Sequence, residues 1–356
     1  MKTLLLILSF FIVSSQVKCQ NQKFEKILRG HDYTVLSIDR DSQGKFLVSG
    51  SYDTNLIIWD YMSGKILQKI TNHNAGVWCV NISPDNKYIA SGSWNNNTNA
   101  NGSSEKCINI IELSTLKVIN SLSIDLDRYK DFTLYPEFDR YVPNGIYNIF
   151  FNKSGEKLAA LTKSGDLYVW DMFENYKKTV YEYGKTEHKI LAISPDWKYI
   201  ACSKRKRALI DSSFYLIGFG TNDIVTNFSI PQRSVIEIQF SHNSNYIACV
   251  SGDRIKRNEI DIWNTKNQKL VHTLIGHSNV VRSLVFSKDD RYLASVGEDN
   301  IINLWNVETG KLITSFTENN YKELTSVVFS FDEKYLISGS QDKTIKYWNI
   351  ENFIVN

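Results

Sequence analysis

The sequence predicts an all-β protein: seven copies of one four-stranded antiparallel unit, each stacked against the next. Three observations predict it. First, residues 276–305 read GHSNVVRSLVFSKDDRYLASVGEDNIINLW. The runs VRSLVFS, RYLASV and IINLW are rich in β-branched and aromatic residues, and the Lys-Asp-Asp and Gly-Glu-Asp-Asn joints are turn chemistry. Second, the pattern returns before Trp59 (LVSGSYDTNLIIWD), Trp170, Trp263 and Trp348, with Trp263, Trp305 and Trp348 spaced by 42 and 43 residues. Third, a sheet this small cannot bury its own two faces, so each unit needs copies of itself as neighbours.

The chain opens on a stretch of a different kind. Lys2 gives a positive start, Leu4 to Val13 is almost unbroken apolar sequence, and Ser14, Ser15 and Gln16 relax into a polar end before Val17 and Cys19. That is the layout of a secretory signal peptide and is too short for a membrane span. Residues 1–19 are therefore set apart from a single ring domain of residues 20–356. Lipidation at Cys19 is a lesser alternative, and Lys18 argues against it because that position ordinarily takes a small residue. Removal of the leader takes away Lys2 and Lys18, two of the three net positive charges.

KFEKIL, from Lys23 to Leu28, is a strand without a repeat of its own. The first unit then runs TVLSID, KFLVSG, NLIIWD and KILQKI. The second begins at His73, runs WCVNIS, KYIASGS and CINIIEL, and carries Ile111 where a tryptophan is expected. Between Ser93 and Cys107 lies an Asn/Gly/Ser-rich insertion that reads as an exposed loop. The third unit is preceded by a long segment from Asp125 to Pro143 and follows as IYNIFF, KLAALT and LYVWD. The fourth, KILAIS, KYIACS and FYLIGF, has Ile217 at the tryptophan position and the basic run Lys204, Arg205, Lys206, Arg207 in its middle joint. The fifth, IEIQFS, YIACVS and EIDIWN, carries Arg254, Lys256 and Arg257 in the same joint. Residues 276–305 are the sixth, and TSVVFS, YLISGS and TIKYWN the seventh, which stops short of a fourth strand.

A period of about 40–45 residues with Gly-His early and Trp-Asp late resembles the WD-repeat family. The resemblance implies a seven-bladed β-propeller whose ring is closed by the N-terminal strand pairing into the last blade. It also implies a structural network within each blade. On this chain the matching residues are His31, Ser49, Asp53 and Trp59 in the first blade and His277, Ser295, Asp299 and Trp305 in the sixth. In the seventh they are Ser338, Asp342 and Trp348, with no histidine ahead of them. A His/Asp/Ser set also evokes a hydrolytic triad, but a set that recurs in separate blades is a hydrogen-bonded staple, since a catalytic site needs no duplicates.

Composition adds exclusions. A net charge of +3 with 22% charged residues implies no overall pull toward nucleic acid. Cys79, Cys107, Cys202 and Cys249 are too few and dispersed for a disulfide framework. They read as small buried side chains, although Cys202 and Cys249 occupy matching positions in adjacent repeats, so a bridge between them is conceivable. No GxSxG, HExxH or P-loop occurs, and His188, His242 and His272 stand alone in the sequence. No catalytic residue, metal site or cofactor is expected. Asn96 and Asn101 lie in glycosylation sequons, and Asn81 fits the same pattern within a strand.

What remains is surface. The family geometry puts the loops leading into each first strand, and those joining the middle strands, on one face, where all the irregular segments fall. Family usage carried onto this chain points to Trp78, Tyr147, Lys189 and Arg282 at first-strand starts, and to Tyr52, Glu298 and Gln341 before the turns. Trp78 and Tyr147 also suit lining of the central channel. With Lys204, Arg205, Lys206, Arg207, Arg254, Lys256 and Arg257 they form the expected partner-binding set, and two basic runs on neighbouring blades suit an acidic partner. The expectation is a monomeric extracytoplasmic protein-interaction scaffold without enzymatic activity, binding a protein or peptide and no nucleic acid. The rival readings are a propeller enzyme or small-ligand sensor using the central channel, and an intracellular scaffold of the same family.

Overall fold

The computed structural model describes residues 24–94, 106–124, 145–162, 165–183, 188–204, 213–221, 223–230, 234–252, 258–317 and 322–354. The leader 1–19, most of the Asn-rich insertion, the 125–143 segment and the basic residues Arg205, Lys206, Arg207, Arg254, Lys256 and Arg257 lie outside them. Seven four-stranded antiparallel sheets make a seven-bladed β-propeller, and the described residues contain no α-helix. Blades one to six comprise residues 35–70, 77–123, 146–181, 188–229, 234–274 and 281–317. In blade seven the strands of residues 324–349 are completed by β1, Lys26–Arg29, on the outer edge of Thr344–Asn349, with Lys26 opposite Tyr347 and Arg29 opposite Thr344. The closure implied by the resemblance is therefore present.

The burial pattern follows from stacking sheets on both faces. The second and third strands of blade one, Phe46–Ser51 and Leu56–Asp60, are buried almost throughout, and the fourth, Ile66–Ile70, is exposed except at its last residue. Continuous apolar runs such as LIIW belong to strands covered on both sides, as these are. The core is accordingly divided into seven apolar layers, one between each pair of adjacent blades. Leu28, Val35, Trp59 and Ile345 fill the layer between blades seven and one. Phe46, Val77 and Ile111 fill the next.

The staples are formed as the resemblance implied. In blade one His31 Nε2 meets Ser49 Oγ at 2.8 Å and His31 Nδ1 meets Asp53 Oδ2 at 2.9 Å. Trp59 Nε1 donates to the same Ser49 Oγ at 2.8 Å. The neutral Nδ1–H tautomer satisfies every atom: Nδ1–H donates to the carboxylate and Nε2 accepts the serine hydroxyl. Blade six repeats this with His277, Ser295, Asp299 and Trp305 at 2.8–2.9 Å. In blade seven Trp348 Nε1 donates to Ser338 Oγ at 2.9 Å, and buried Lys346 pairs with Asp342. A lysine from within the sheet takes the histidine's place as partner of the aspartate there.

Blades two to five lose parts of this network. His73 still bonds Ser91 Oγ at 2.8 Å, but its buried Nδ1 has no partner among the described residues, and burial lowers its pKa to about 4. By strand register, the serine position is Ala160 in blade three, Cys202 in blade four and Cys249 in blade five. Trp263 therefore meets a cysteine where Trp59 meets a serine, and its indole N–H is buried without an acceptor among the described residues. The four cysteines of the described residues are buried thiols, so the conceivable Cys202–Cys249 bridge is not formed. The reason is geometric: Cys202 packs between blades three and four and Cys249 between blades four and five, one blade apart.

A second repeated device went unread in the sequence. In five blades the serine ending the first strand (Ser83, Ser194, Ser241, Ser287, Ser330) accepts the N–H of the tyrosine five residues on, at 2.9–3.0 Å. Asp41 and Asn152 do the same in blades one and three at 2.9 Å. The Ser-x-Asp/Asn-x-x-Tyr pattern was the available signal. The fourth residue of this turn is left-handed in every blade, with φ from 55° to 74°. It is glycine at Gly44, where an added Cβ would fall 2.3 Å from the Phe331 ring of the preceding blade. In blade three it is Gly155, and in blade six its side chain reaches back: Asp290 accepts the N–H groups of His242 and Asn243 at 2.7 and 2.9 Å. His242 Nδ1 also bonds Asp290, and His272 Nε2 donates to the Glu308 carbonyl at 2.8 Å.

Two outcomes are expected in urea unfolding. His31→Ala leaves Ser49 and Asp53 buried without their partner and costs about 2–3 kcal/mol, whereas His73→Ala, lacking the aspartate, costs less. Cys249→Ser gives the Trp263 indole an acceptor and stabilises by about 1 kcal/mol, an increment that vanishes in a Trp263→Phe background.

Candidate interaction face

The innermost strand of each blade carries one register shift against its neighbour. In six blades it lies near the strand start, bracketing Leu36, Trp78, Tyr147, Ile236, Arg282 and Thr325. In blade four it brackets Leu191, two residues further along. A bulge leaves its extra residue unpaired and re-aims its side chain. Three of the residues singled out by sequence, Trp78, Tyr147 and Arg282, are such extra residues. They diverge in what they do.

Trp78 belongs to an aromatic strip across blades one to three. Its ring stacks on Trp94 with centroids 4.4 Å apart and planes at 21°. Trp94 in turn bridges to Gly145, where an added Cβ would fall 2.2 Å from the Trp94 ring. Tyr52 lies alongside, its Cα 3.2 Å from the Cβ position of Gly76 and Trp78 Nε1 3.7 Å from it. Tyr52 is 57% exposed and Tyr33 59%, with Lys343 Nζ 5.5 Å from the centre of the Tyr33 ring. All of these sit where first strands begin and second strands end, which antiparallel blades put on one face. Tyr33 and Trp94 were missed in the sequence. Their signal was an aromatic placed in the very joints that held Trp78 and Tyr52.

Tyr147 turns into the ring. Its hydroxyl donates to Glu237 Oε2 at 2.8 Å, joining the innermost strands of blades three and five past blade four. Desolvation, then the Glu237 charge, holds the phenol well above its ordinary value. Its place is the channel wall, the other role the sequence allowed. Arg282 and Glu298, expected as separate contacts, form an ion pair with each other. Gln341 is exposed on blade seven, its N–H bonded to the Glu323 carbonyl at 2.9 Å. Lys189 and Lys204 lie on the first two strands of blade four, where Lys204 pairs with His188 and Lys189 with Ser203.

The channel wall also holds a relay between innermost strands. Ser326 Oγ accepts Ile38 N–H at 3.3 Å and Ser37 Oγ accepts Val80 N–H at 3.2 Å. Asp39 accepts Ile82 N–H at 2.7 Å and Asn81 Nδ2 at 3.1 Å, and Asn81 Oδ1 accepts Phe151 N–H at 3.3 Å. Four consecutive blades, seven to three, are thus tied side by side beneath the aromatic strip. Desolvation pushes the Asp39 carboxyl up to about 6, against the pull of the Ile82 N–H and the neighbouring Arg40 charge.

Comparison with known proteins agrees with this architecture. The family model described as WD domain, G-beta repeat matches residues 22–60, 64–99, 268–306 and 310–349. The WD repeat-containing protein SL1-17 of Schistosoma mansoni is 26% identical over 188 residues, covering 53% of this chain and 52% of its own. An uncharacterized WD repeat-containing protein of Synechocystis is 28% identical over 130 residues, covering 36% and 34%. Pre-mRNA-processing factor 17 of Homo sapiens is 22% identical over 288 residues, covering 78% and 43%. The chain thus spans about half, or less, of the length of these relatives.

The carboxylates set the pH response. A folded Asp39 that holds its proton more tightly than an unfolded carboxyl, ordinarily near 4, favours the folded state increasingly as pH falls from about 6 to about 4. Asp53 has the opposite sign: burial would raise it, but the His31 hydrogen bond and the Asp32 N–H hold it below the usual range, so its stabilisation is lost as pH falls below about 4. Stability is therefore expected to drop below pH 4 in the wild type. Between pH 7 and 5, urea midpoints of wild type should gain relative to those of Asp39→Asn.

Proposed function

The chain belongs to the WD-repeat β-propellers, and we propose that it is an extracytoplasmic scaffold without enzymatic activity, holding a protein or peptide partner against one face of the ring. The observation that carries this reading is the aromatic strip of Tyr33, Tyr52, Trp78 and Trp94, which stands on that face with the Trp78–Trp94 stack already formed. Rings fixed before binding lose little side-chain freedom when a partner covers them, and aromatic anchors of this kind dominate protein interfaces. The His/Asp/Ser sets are engaged in the frame of blades one and six, which leaves them no role as nucleophile and base. The layout of residues 1–19 supports export. The cations in the middle joints of blades four and five favour an acidic partner and a ring that acts as a monomer.

The relatives include a pre-mRNA-processing factor and a nuclear distribution protein, which favours an intracellular scaffold as the second reading. N-terminal sequencing of the natural protein separates the two: a chain starting near Gln20 supports export, and a retained Met1 supports the alternative.

Capture of a partner by the full chain tests the face. Tyr52→Ala combined with Trp78→Ala should weaken the captured complex by about 2 kcal/mol or more, roughly 30-fold in Kd, with an unchanged melting temperature. Neutralising Lys204, Arg205, Lys206, Arg207, Arg254, Lys256 and Arg257 should weaken it further and remove its salt dependence. A complex indifferent to both variants overturns the proposed face.

A further inference from the structure

Three asparagines of the described residues stand in Asn-x-Ser sequence: Asn81, Asn152 and Asn227. The fold treats them differently. Asn81 sits on an innermost strand with its Nδ2 on Asp39 and its Oδ1 on Phe151 N–H. Asn152 closes a turn, its Oδ1 accepting Lys157 N–H at 2.9 Å and its Nδ2 donating to Ser154 Oγ at 3.0 Å. Both amides are engaged in the frame. Asn227 lies on the outermost strand of blade four, Ile224–Ser229, opposite Tyr215. It is exposed, as is Ser229, while Phe228 between them points inward and stacks on Phe214 with centroids 4.4 Å apart. Its side-chain amide has no hydrogen-bond partner among the described residues.

The strand that carries it is also the least protected edge of the ring. The outer strands of blades one, two and three hold Lys69, Lys117 and Lys178, that of blade five holds His272, and β1 in blade seven holds Lys26 and Arg29. That of blade six has none of these, but its apolar side chains are buried or half-buried. The strand IVTNFS has no ionisable residue, and Ile224 and Val225 are 49% and 53% exposed. An outer edge with unpaired backbone groups, exposed apolar side chains and no charge invites pairing with another chain.

From these two observations we propose that Asn227 is an N-glycosylation site, and that its glycan covers the blade-four edge where the other exposed edges carry an ionisable side chain. The inference rests on the reading that the chain enters a secretory pathway. The co-reactant is an oligosaccharide carried on a polyisoprenoid lipid diphosphate. Asn227 Nδ2 bonds to the sugar C1, the C1–O bond to the diphosphate breaks, and the lipid diphosphate leaves with the bonding electrons and takes up the amide proton. A glycan on the outermost strand projects away from the ring and leaves the aromatic strip uncovered.

The test expresses the full chain in a eukaryotic secretory host in two forms: with its own N-terminus alone, and with an unrelated cleavable leader fused ahead of it. Secreted protein is treated with a glycoamidase, which converts a glycosylated Asn227 to aspartate, and is mapped by peptide mass. Conversion at residue 227, retained in Ser229→Thr and abolished in Ser229→Ala, is the expected result. Conversion only with the unrelated leader sustains the site and overturns the export reading. Secreted chain with an unmodified Asn227 in both forms overturns the site. The covering role is read from size: Asn227→Gln should self-associate on a sizing column while Asn227→Lys stays monomeric, and a monodisperse Asn227→Gln overturns that role.

Discussion

The pairing of Lys26–Arg29 with Thr344–Asn349 is the contact on which the remaining structure depends. Each blade is too small to bury its own faces, so its apolar side chains find cover only in the layers between neighbours. Without the N-terminal strand the seventh sheet lacks its outer member, and Leu28 is absent from the layer it shares with Val35, Trp59 and Ile345. Ring closure joins the two ends of the chain and turns a row of sheets into a frame of fixed geometry. Asp290, reaching from the blade-six turn to His242 of blade five, and the relay through Ser326, Ser37, Asp39 and Asn81 then tie blade to blade.

The staples vary around the ring in a way that the family comparison mirrors. The matched residues fall in blades one, two, six and seven. The three inner strands of blades three to five are left unmatched, and there Ala160, Cys202 and Cys249 replace the serine. The degeneracy is thus physical as well as statistical: a buried Trp263 N–H and a half-satisfied His73 remain where the network is incomplete. The blades hold nevertheless, because apolar layers between sheets carry most of the stabilisation and one lost hydrogen bond removes about 1 kcal/mol.

The candidate face arises from the same geometry. One bulge per innermost strand frees a side chain from the regular alternation, and what that side chain then meets depends on the opposite wall. Trp78 meets Trp94 and joins an exposed strip, Arg282 meets Glu298, and Tyr147 meets Glu237 across the ring. Identical backbone positions therefore yield a contact surface, a neutralised ion pair and a channel brace.

The sequence by itself determined the number and order of blades, the closing strand and the staples of His31 and His277. The blades and the staples rest on local periodicity and on residues at most about two dozen positions apart, so a linear reading finds them, whereas the closing strand, which sets Lys26 opposite Tyr347, came through the resemblance to the family. Trp78 and Tyr52 were legible as surface candidates through the family's usage of the same joints. The tertiary structure alone decided that Tyr147 faces Glu237, 90 residues away, that Cys202 and Cys249 fall in different layers, and that Asn227 is exposed while Asn81 is engaged. Those outcomes depend on which face of a strand meets which neighbouring blade. That is set by the twist and closure of the ring, not by any pattern within one repeat.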